Sequence, residues 1–149
     1  MKDTSSSWTQ KINTNGYRLT GARRMVIDII SNSPRALTPA EIFIEARSRG
    51  AKLGLVTVYR TLEKLEEMTL VERVHHEDGC HAYIAHVEGH QHLLLCRVCH
   101  RVEYFGGDDL VSLAETISRR SGYEVQEHWL QLVGICPDCR ALVNKEALS

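Results

Sequence analysis

The chain has 149 residues and a net charge of −1, and its 43% hydrophobic and 25% charged residues are typical of a globular protein. The sequence has no apolar run near the ~18 residues of a membrane span. Its start lacks the basic and then apolar pattern of a secretory signal, so a cytoplasmic location is expected. Residues 1–80 hold 12 Lys/Arg against 10 Asp/Glu and residues 81–149 hold 6 against 9, which permits a nucleic-acid role for the first half.

Three helices are predicted in the first half, over about 20–32, from Thr38 to Gly50, and over about 57–68. Thr20 is placed to cap the first helix, and the run Thr38-Pro39-Ala40-Glu41 is a capping box that opens the second. Two strand-like runs follow, over 70–76 and 80–85, and Glu77-Asp78-Gly79 between them is a strong hairpin signal. Three short helices followed by a β-hairpin are typical of a winged helix-turn-helix domain, whose third helix enters the major groove of DNA.

The third predicted helix has an apolar face and a polar face, and the polar face carries Thr57, Tyr59, Arg60 and Lys64. Arg60 is suited to bidentate pairing with guanine, and Tyr59 to contact with thymine methyl groups or phosphate. Arg18, just before the first helix, is placed to reach phosphates or a narrow minor groove. From the pattern alone, a small helical domain with ordinary exposed Tyr and Arg side chains stays open as an alternative.

The second half predicts a strand over 101–105, a helix over about 109–121 with Asp108 as its cap, and a long strand over 123–135. Two strands and one helix are too thin to bury a core alone, so we expect a second copy of the chain to pair with this unit. The predicted fold is α+β, with a winged helix-turn-helix domain over residues 1–85 and a small α/β dimerisation domain over residues 86–149. A homodimer would place two recognition helices about a two-fold axis and favour a near-palindromic operator.

Two Cys-x-x-Cys pairs form the strongest predicted site. Cys96 and Cys99 precede the 101–105 strand, and Cys136 and Cys139 follow the last predicted strand. Four thiolates can close a tetrahedral Zn²⁺ site with no open position, so structural zinc is the expected cofactor. An iron–sulfur cluster and a thioredoxin-like redox pair stay open as alternatives.

The strings GYRLTGAR at 16–23 and VTVYRTLEKL at 56–65, with the cysteine pairs and the histidines before them, resemble the ferric-uptake-regulator (Fur) family of bacterial repressors. The resemblance runs from about residue 8 to residue 140. It implies a homodimeric, metal-dependent repressor that binds double-stranded DNA and is not an enzyme. By the same resemblance, Tyr59 and Arg60 face bases in the major groove and Arg18 reaches the minor groove.

The resemblance is closer to the zinc-uptake-regulator branch of the family. The sensing site of that branch takes an acidic residue (or His) from the first wing strand, a Cys at the end of the second strand, and histidines just before the first cysteine pair. Glu72, His86, His90 and His92 fall at these places, with His86 in place of the Cys, and they form the predicted regulatory set that bridges the two domains. His128 matches a family position that is used with the equivalents of His90 and His92 in a secondary site.

The chain departs from the family at several ligand positions. Leu93 stands where the family has the last His of its motif, Ala36 where the iron, manganese and peroxide sensors have a further His, and Tyr104 where they often have Asp. Peroxide sensing through histidine oxidation is therefore disfavoured. Zn²⁺ is the expected co-repressor of metal-homeostasis genes, and the exchange of Cys for His leaves Fe²⁺, Mn²⁺ or Ni²⁺ as alternatives for the second, regulatory metal.

Two functions of another kind are alternatives to repression. A zinc hydrolase would hold a water-bearing metal on the histidines, but the sequence shows no clear nucleophile–base arrangement and no phosphate-cradling glycine loop. A redox-responsive regulator would release zinc from the four cysteines on oxidation, and this property is compatible with repression.

Overall fold

The computed structural model describes residues 4–76, 79–107 and 109–147, and the chain divides into two compact units, residues 1–86 and 87–149. The sequence places the boundary one residue earlier, after residue 85. Glu77 and Asp78 of the predicted hairpin turn, and the predicted helix cap Asp108, lie outside the described residues.

The N-terminal unit combines helices with a two-stranded antiparallel sheet. Thr20 caps the first predicted helix as expected, because its side-chain oxygen accepts a hydrogen bond from the Arg23 amide. The predicted capping box also forms, since the Thr38 amide donates to Glu41 and the Glu41 amide donates to Thr38. The elements are α1 (Thr4–Thr14), α2 (Gly21–Ser31), α3 (Pro39–Ser48), α4 (Leu55–Glu67), β1 (Val71–His75) and β2 (His81–Ala85).

Helix α1 was not predicted, and it extends the hydrophobic core of this unit. Trp8 and Ile12, one helical turn apart, are both buried. They join a cluster of sixteen buried residues contributed by all four helices and the sheet. Leu37, just before α3, exchanges two backbone hydrogen bonds with Tyr83 of β2, which ties the helices to the hairpin. Helices packed on a β-hairpin in this order confirm the predicted winged-helix arrangement.

The C-terminal unit contains a three-stranded sheet in the order β4-β3-β5. The central strand β3 pairs antiparallel with β4 and parallel with β5. Few side chains are buried here, and among the described residues of this unit they are His92, Leu95, Cys96 and Cys139. The elements are β3 (His92–Cys96), β4 (Val102–Phe105), α5 (Asp109–Ser121), β5 (Gln131–Gly134) and α6 (Pro137–Ala147).

Two predictions for this unit were wrong. Two strands and one helix were expected, but β3 and α6 add a central strand and a second helix. The long strand over 123–135 is limited to Gln131–Gly134, because β3 is short and its register with β5 runs only from Leu93 opposite Gln131 to Cys96 opposite Gly134. The residues before Gln131 therefore leave the sheet.

Among the helices that the structure describes, none has the length and apolar character of a membrane span.

Candidate metal centres and nucleic-acid interface

The four predicted zinc cysteines converge in the C-terminal unit. Cys96 ends β3, Cys99 lies in the following turn, Cys136 follows β5, and Cys139 lies in the first turn of α6. All four sulfur atoms lie within 4.8 Å of one another, and Cys99 Sγ lies 3.7 Å from Cys136 Sγ. A tetrahedron with Zn–S bonds of about 2.3 Å has S···S edges of about 3.8 Å, whereas a disulfide requires about 2.05 Å. The spacing therefore fits a tetrahedral metal site formed by four free cysteines.

The surroundings of these thiols favour a thiolate at Cys96. Burial raises the pKa of Cys96, but hydrogen bonds from the backbone amides of Cys136, Cys99 and Val98 outweigh it and bring the pKa down to about 6. The amide of Cys136 lies 3.3 Å from Cys96 Sγ. Hydrogen bonding to Cys136, followed by burial, raises the pKa of Cys139 to about 12. One anion among neighbouring thiols would attract a divalent cation, and the remaining cysteines would lose their protons on binding it.

Three histidines form a second cluster in the same unit. The ligand nitrogens of His90, His92 and His128 all lie within 4.8 Å of one another, and His90 Nε2 lies 2.9 Å from His128 Nε2. Zinc–nitrogen bonds of about 2.0–2.1 Å would separate two tetrahedral ligands by about 3.3 Å, so a small shift suffices to bind a metal ion. We refer to His90, His92 and His128 as the histidine trio.

His92 is the most informative member of the histidine trio. Its side chain is 3% exposed, and within the described part of the chain its Nε2 atom is buried without a hydrogen-bond partner. Burial, together with the charges of His90 and His128, lowers the pKa of His92 and keeps the imidazole neutral, which is the form that binds metals. A buried and unpartnered nitrogen is costly unless something binds it, so this atom fits a metal ligand.

The trio depends on the segment that the sequence wrongly assigned to a long strand. His128 lies between α5 and β5, outside the sheet. Leu93 of β3 donates a backbone hydrogen bond to Leu130, and this bond holds the end of the segment against the central strand. His128 thereby reaches His90 and His92, with their ring centroids 4.6 and 5.4 Å from that of His128.

Glu72 and His86 form a pair in the N-terminal unit. Glu72 lies on β1 and His86 follows β2, and the His86 amide donates to the Leu70 carbonyl. His86 Nδ1 lies 3.4 Å from Glu72 Oε2, and both side chains are half-buried. The structure thus brings Glu72 to His86 in one unit, and His90 to His92 and His128 in the other. The joining of these two groups in one regulatory site stays a prediction.

Helix α4 presents the predicted DNA-binding residues. Val58, Thr61, Leu62 and Leu65 are buried, which turns Tyr59 and Arg60 outward, while Thr57 and Lys64 are half-buried. The exposed residues lie in the first two turns, the part of a recognition helix that contacts base edges. Arg18 is exposed just before α2.

The helix also begins two residues earlier than predicted, since Gly54 serves as its N-cap. The prediction therefore missed Leu55 and Val56, which are 40% and 63% exposed on the first turn. A glycine directly before an apolar periodic run was the signal that could have located this start.

Comparison with known proteins decides the family. The family model for the ferric uptake regulator family matches residues 14–133. The chain belongs to the ferric uptake regulator family. This result confirms the resemblance seen in the sequence, and membership places the chain among regulatory proteins rather than enzymes.

Two similar relatives are named for different metals. A ferric uptake regulation protein of Legionella pneumophila is 32% identical over 134 residues, covering 89% of this chain and 98% of the relative. A zinc uptake regulation protein of Mycobacterium tuberculosis is 30% identical over 126 residues, covering 85% of this chain and 97% of the relative. Iron- and zinc-named relatives are thus about equally similar to this chain.

A solved structure supports the fold along the whole chain. A zinc uptake regulator complexed with zinc and DNA superposes with a TM-score of 0.68 at 19% identity, and the match covers 99% of each chain. This similarity confirms the predicted fold class, an N-terminal winged-helix domain followed by a small α/β domain.

Proposed function

We propose that this member of the ferric uptake regulator family is a metal-dependent repressor of metal-homeostasis genes that binds DNA as a homodimer in the cytoplasm. The observation that carries the proposal is the presence of two chemically distinct side-chain clusters, one of four cysteines and one of three histidines, with the spacing of metal ligands in a chain whose α4 exposes Tyr59 and Arg60. Family membership supports the regulatory role, and the winged-helix domain supports the DNA-binding role.

The four cysteines are proposed to hold structural Zn²⁺. Thiolates on four sides leave no position for exchange with water or substrate, which favours a permanent site. The two pairs lie at opposite ends of the unit's sequence, so the site would tie the turn after β3 to the start of α6. An exposed ion pair between Arg101 and Asp138, with 2.8 Å between Nη1 and Oδ2, joins the same two segments.

A second divalent metal is proposed as co-repressor, with Zn²⁺ as the first candidate and Fe²⁺ or Mn²⁺ as alternatives. Imidazole ligands suit zinc, iron and nickel, and the described cluster that contains them has no thiolate. The predicted regulatory set is Glu72, His86, His90 and His92. Ligands drawn from both units would restrict the angle between them, and the metal-free protein would sample many angles and bind its operator weakly.

Dimerisation is proposed to cover apolar surface of the C-terminal unit. Trp129 is 89% exposed and Tyr123 is 77% exposed, and Leu132 and Val133 of β5 are also exposed. Exposed apolar groups of this number on one small unit are typical of an interface. Two copies would present two α4 helices to the two halves of a near-palindromic operator.

The test compares metal-stimulated DNA binding in His86→Ala and His128→Ala, with His81→Ala as a control from outside both clusters. DNA selected from a random library by the zinc-loaded protein serves as the probe, and fluorescence anisotropy reads binding against buffered free metal. We expect His86→Ala to lose the metal response while the dimer and the four-cysteine zinc persist, and His128→Ala to keep it. The reverse pattern would assign sensing to the histidine trio and overturn the predicted set.

The metal is identified in the same assay. We expect Zn²⁺ to stimulate binding at a lower free concentration than Fe²⁺ or Mn²⁺, each tested without oxygen. Stimulation of DNA binding by Fe²⁺ alone, at its usual free concentrations, would identify iron rather than zinc as the co-repressor. Failure of every metal to stimulate binding would refute metal-dependent repression.

One observation favours a redox-responsive variant of this function. A cavity of about 120 Å³ beside the four-cysteine site is lined by Cys96 and Cys136 and offers a small oxidant a space next to these residues. Cys99 and Cys136 could then form a disulfide, in which the two thiolates lose two electrons to hydrogen peroxide, the peroxide takes two protons from solvent and leaves as two waters, and the zinc is released. DNA binding that is lost with peroxide and restored by a thiol reductant, with zinc released and taken up again, is the expected result.

A further inference from the structure

Tyr17 lies at the meeting point of three elements in the N-terminal unit. It follows the turn that ends α1, where Gly16 has a φ of +73°. Its amide donates to the Ile12 carbonyl, and its half-buried ring packs against the hydrophobic core. The position of the ring is therefore fixed by backbone and core contacts, while part of its surface stays accessible.

Arg23 of α2 stacks on this ring and closes the segment before the helix. Its guanidinium carbon lies 4.5 Å from the centroid of the Tyr17 ring. The same side chain donates a 2.7 Å hydrogen bond from Nη1 to the Arg18 carbonyl. Arg23 thus holds the backbone from which the exposed Arg18 side chain projects.

Lys64 of the recognition helix approaches the same ring. Its Nζ atom lies 5.9 Å from the Tyr17 centroid, within the range of cation–π attraction. The Lys64 ammonium also pairs with Glu67 at 2.7 Å. The cationic groups of Arg23 from α2 and Lys64 from α4 therefore both lie near the Tyr17 ring in the N-terminal unit.

We propose that Tyr17 is a positioning residue that arranges Arg23 and Lys64 as a phosphate-binding pair and, through Arg23, places Arg18 for its DNA contact. A phosphate beside them would pair with the Arg23 guanidinium and compete with Glu67 for the Lys64 ammonium. Phosphate contacts set the register of a protein on the duplex, so the pair would align α4 for base reading. The inference rests on the proposed DNA-binding function.

The experiment measures operator affinity against salt concentration for wild type, Tyr17→Leu and Tyr17→Phe in the full-length, zinc-loaded protein. Each lost phosphate contact reduces the slope of log K against log salt by about 0.9. Tyr17→Leu removes no charge, yet we expect its slope to fall by about 1–2 and its affinity to fall by roughly tenfold. Tyr17→Phe keeps the aromatic face and should match wild type.

Two further variants separate positioning from simple loss of stability. Arg23→Ala combined with Tyr17→Leu should cost less than the sum of the two single effects, because Tyr17 acts partly through Arg23. Glu67→Gln frees Lys64 from its ion pair and should strengthen binding to random DNA. A Tyr17→Leu protein that melts at a lower temperature but keeps the wild-type slope would overturn the proposal. A wild-type protein that binds no DNA would instead refute the proposed function.

Discussion

Replacement of Cys136 by serine should unfold the C-terminal unit and leave the N-terminal unit intact. The change removes one sulfur from the four-cysteine set. The described part of the C-terminal unit buries only four side chains, and two of these belong to cysteines of the same set. A unit of this size rarely gains enough stability from its core, and small folds are commonly held together by a metal.

The magnitudes favour this outcome. Structural zinc contributes about 10–16 kcal/mol of apparent binding free energy in small zinc domains at pH 7. Full burial of one leucine such as Leu95 contributes only about 1.5–3 kcal/mol. The N-terminal unit has an independent core of sixteen buried residues, so the free energy of unfolding of that unit should not depend on the metal.

Differential scanning calorimetry together with elemental analysis measures the effect. Wild type should show two transitions and a tightly held zinc, and Cys136→Ser should lose the zinc and the transition of the C-terminal unit. Cys80→Ser is the matched control, because Cys80 is an exposed free cysteine outside the cluster. If Cys136→Ser keeps its zinc and both transitions, the thiols do not form the structural site and the reasoning is wrong.

Three further predictions concern single side chains. Arg60→Ala should weaken operator binding by about 1–3 kcal/mol and relax sequence preference, and an equal loss on random DNA in anisotropy titrations would refute base reading. Thr38→Ala removes the capping box of α3 and should lower the free energy of unfolding of the N-terminal unit by about 0.5–2 kcal/mol in urea titrations. Burial lowers the pKa of His92, so the unfolded chain binds more protons than the native state just below pH ~6.5. With the four-cysteine zinc in place and the second metal absent, the C-terminal unit should therefore lose stability as the pH falls through that range in thermal melts, and His92→Gln should remove this dependence.

Local signals made the N-terminal unit predictable. Thr20 and the Thr38 capping box mark helix starts through hydrogen bonds between residues three apart, so the sequence itself holds both partners. The wing strands were also located within one residue, because β-branched and aromatic runs flank a turn signal. Helix α1 was not predicted because it begins with a run of serines and its apolar face consists only of Trp8 and Ile12.

The C-terminal unit was less predictable because its strands are defined by non-local pairing. The alternating residues over 123–135 read as one strand, but the length of β5 is set by its partner β3. Strand β3 itself is an uninterrupted apolar run between His92 and Cys96, and such a run carries no periodicity that distinguishes a buried strand. The four-cysteine group could be predicted from the sequence because two Cys-x-x-Cys pairs are a specific motif for metal binding. The approach of His128 to His92 could not be predicted, because it depends on the fold.

Strand β3 links the two candidate metal sites, and this link predicts an order of binding. His92 begins the strand and Cys96 ends it, about 13 Å apart at the usual rise of 3.3 Å per residue. If the four-cysteine zinc holds β3 in place, its loss should also disperse the histidine trio. Native mass spectrometry should then show that Cys136→Ser loses both metals, whereas His92→Ala loses only the second. Retention of the second metal by Cys136→Ser would show that the ligands of this metal assemble without the zinc site.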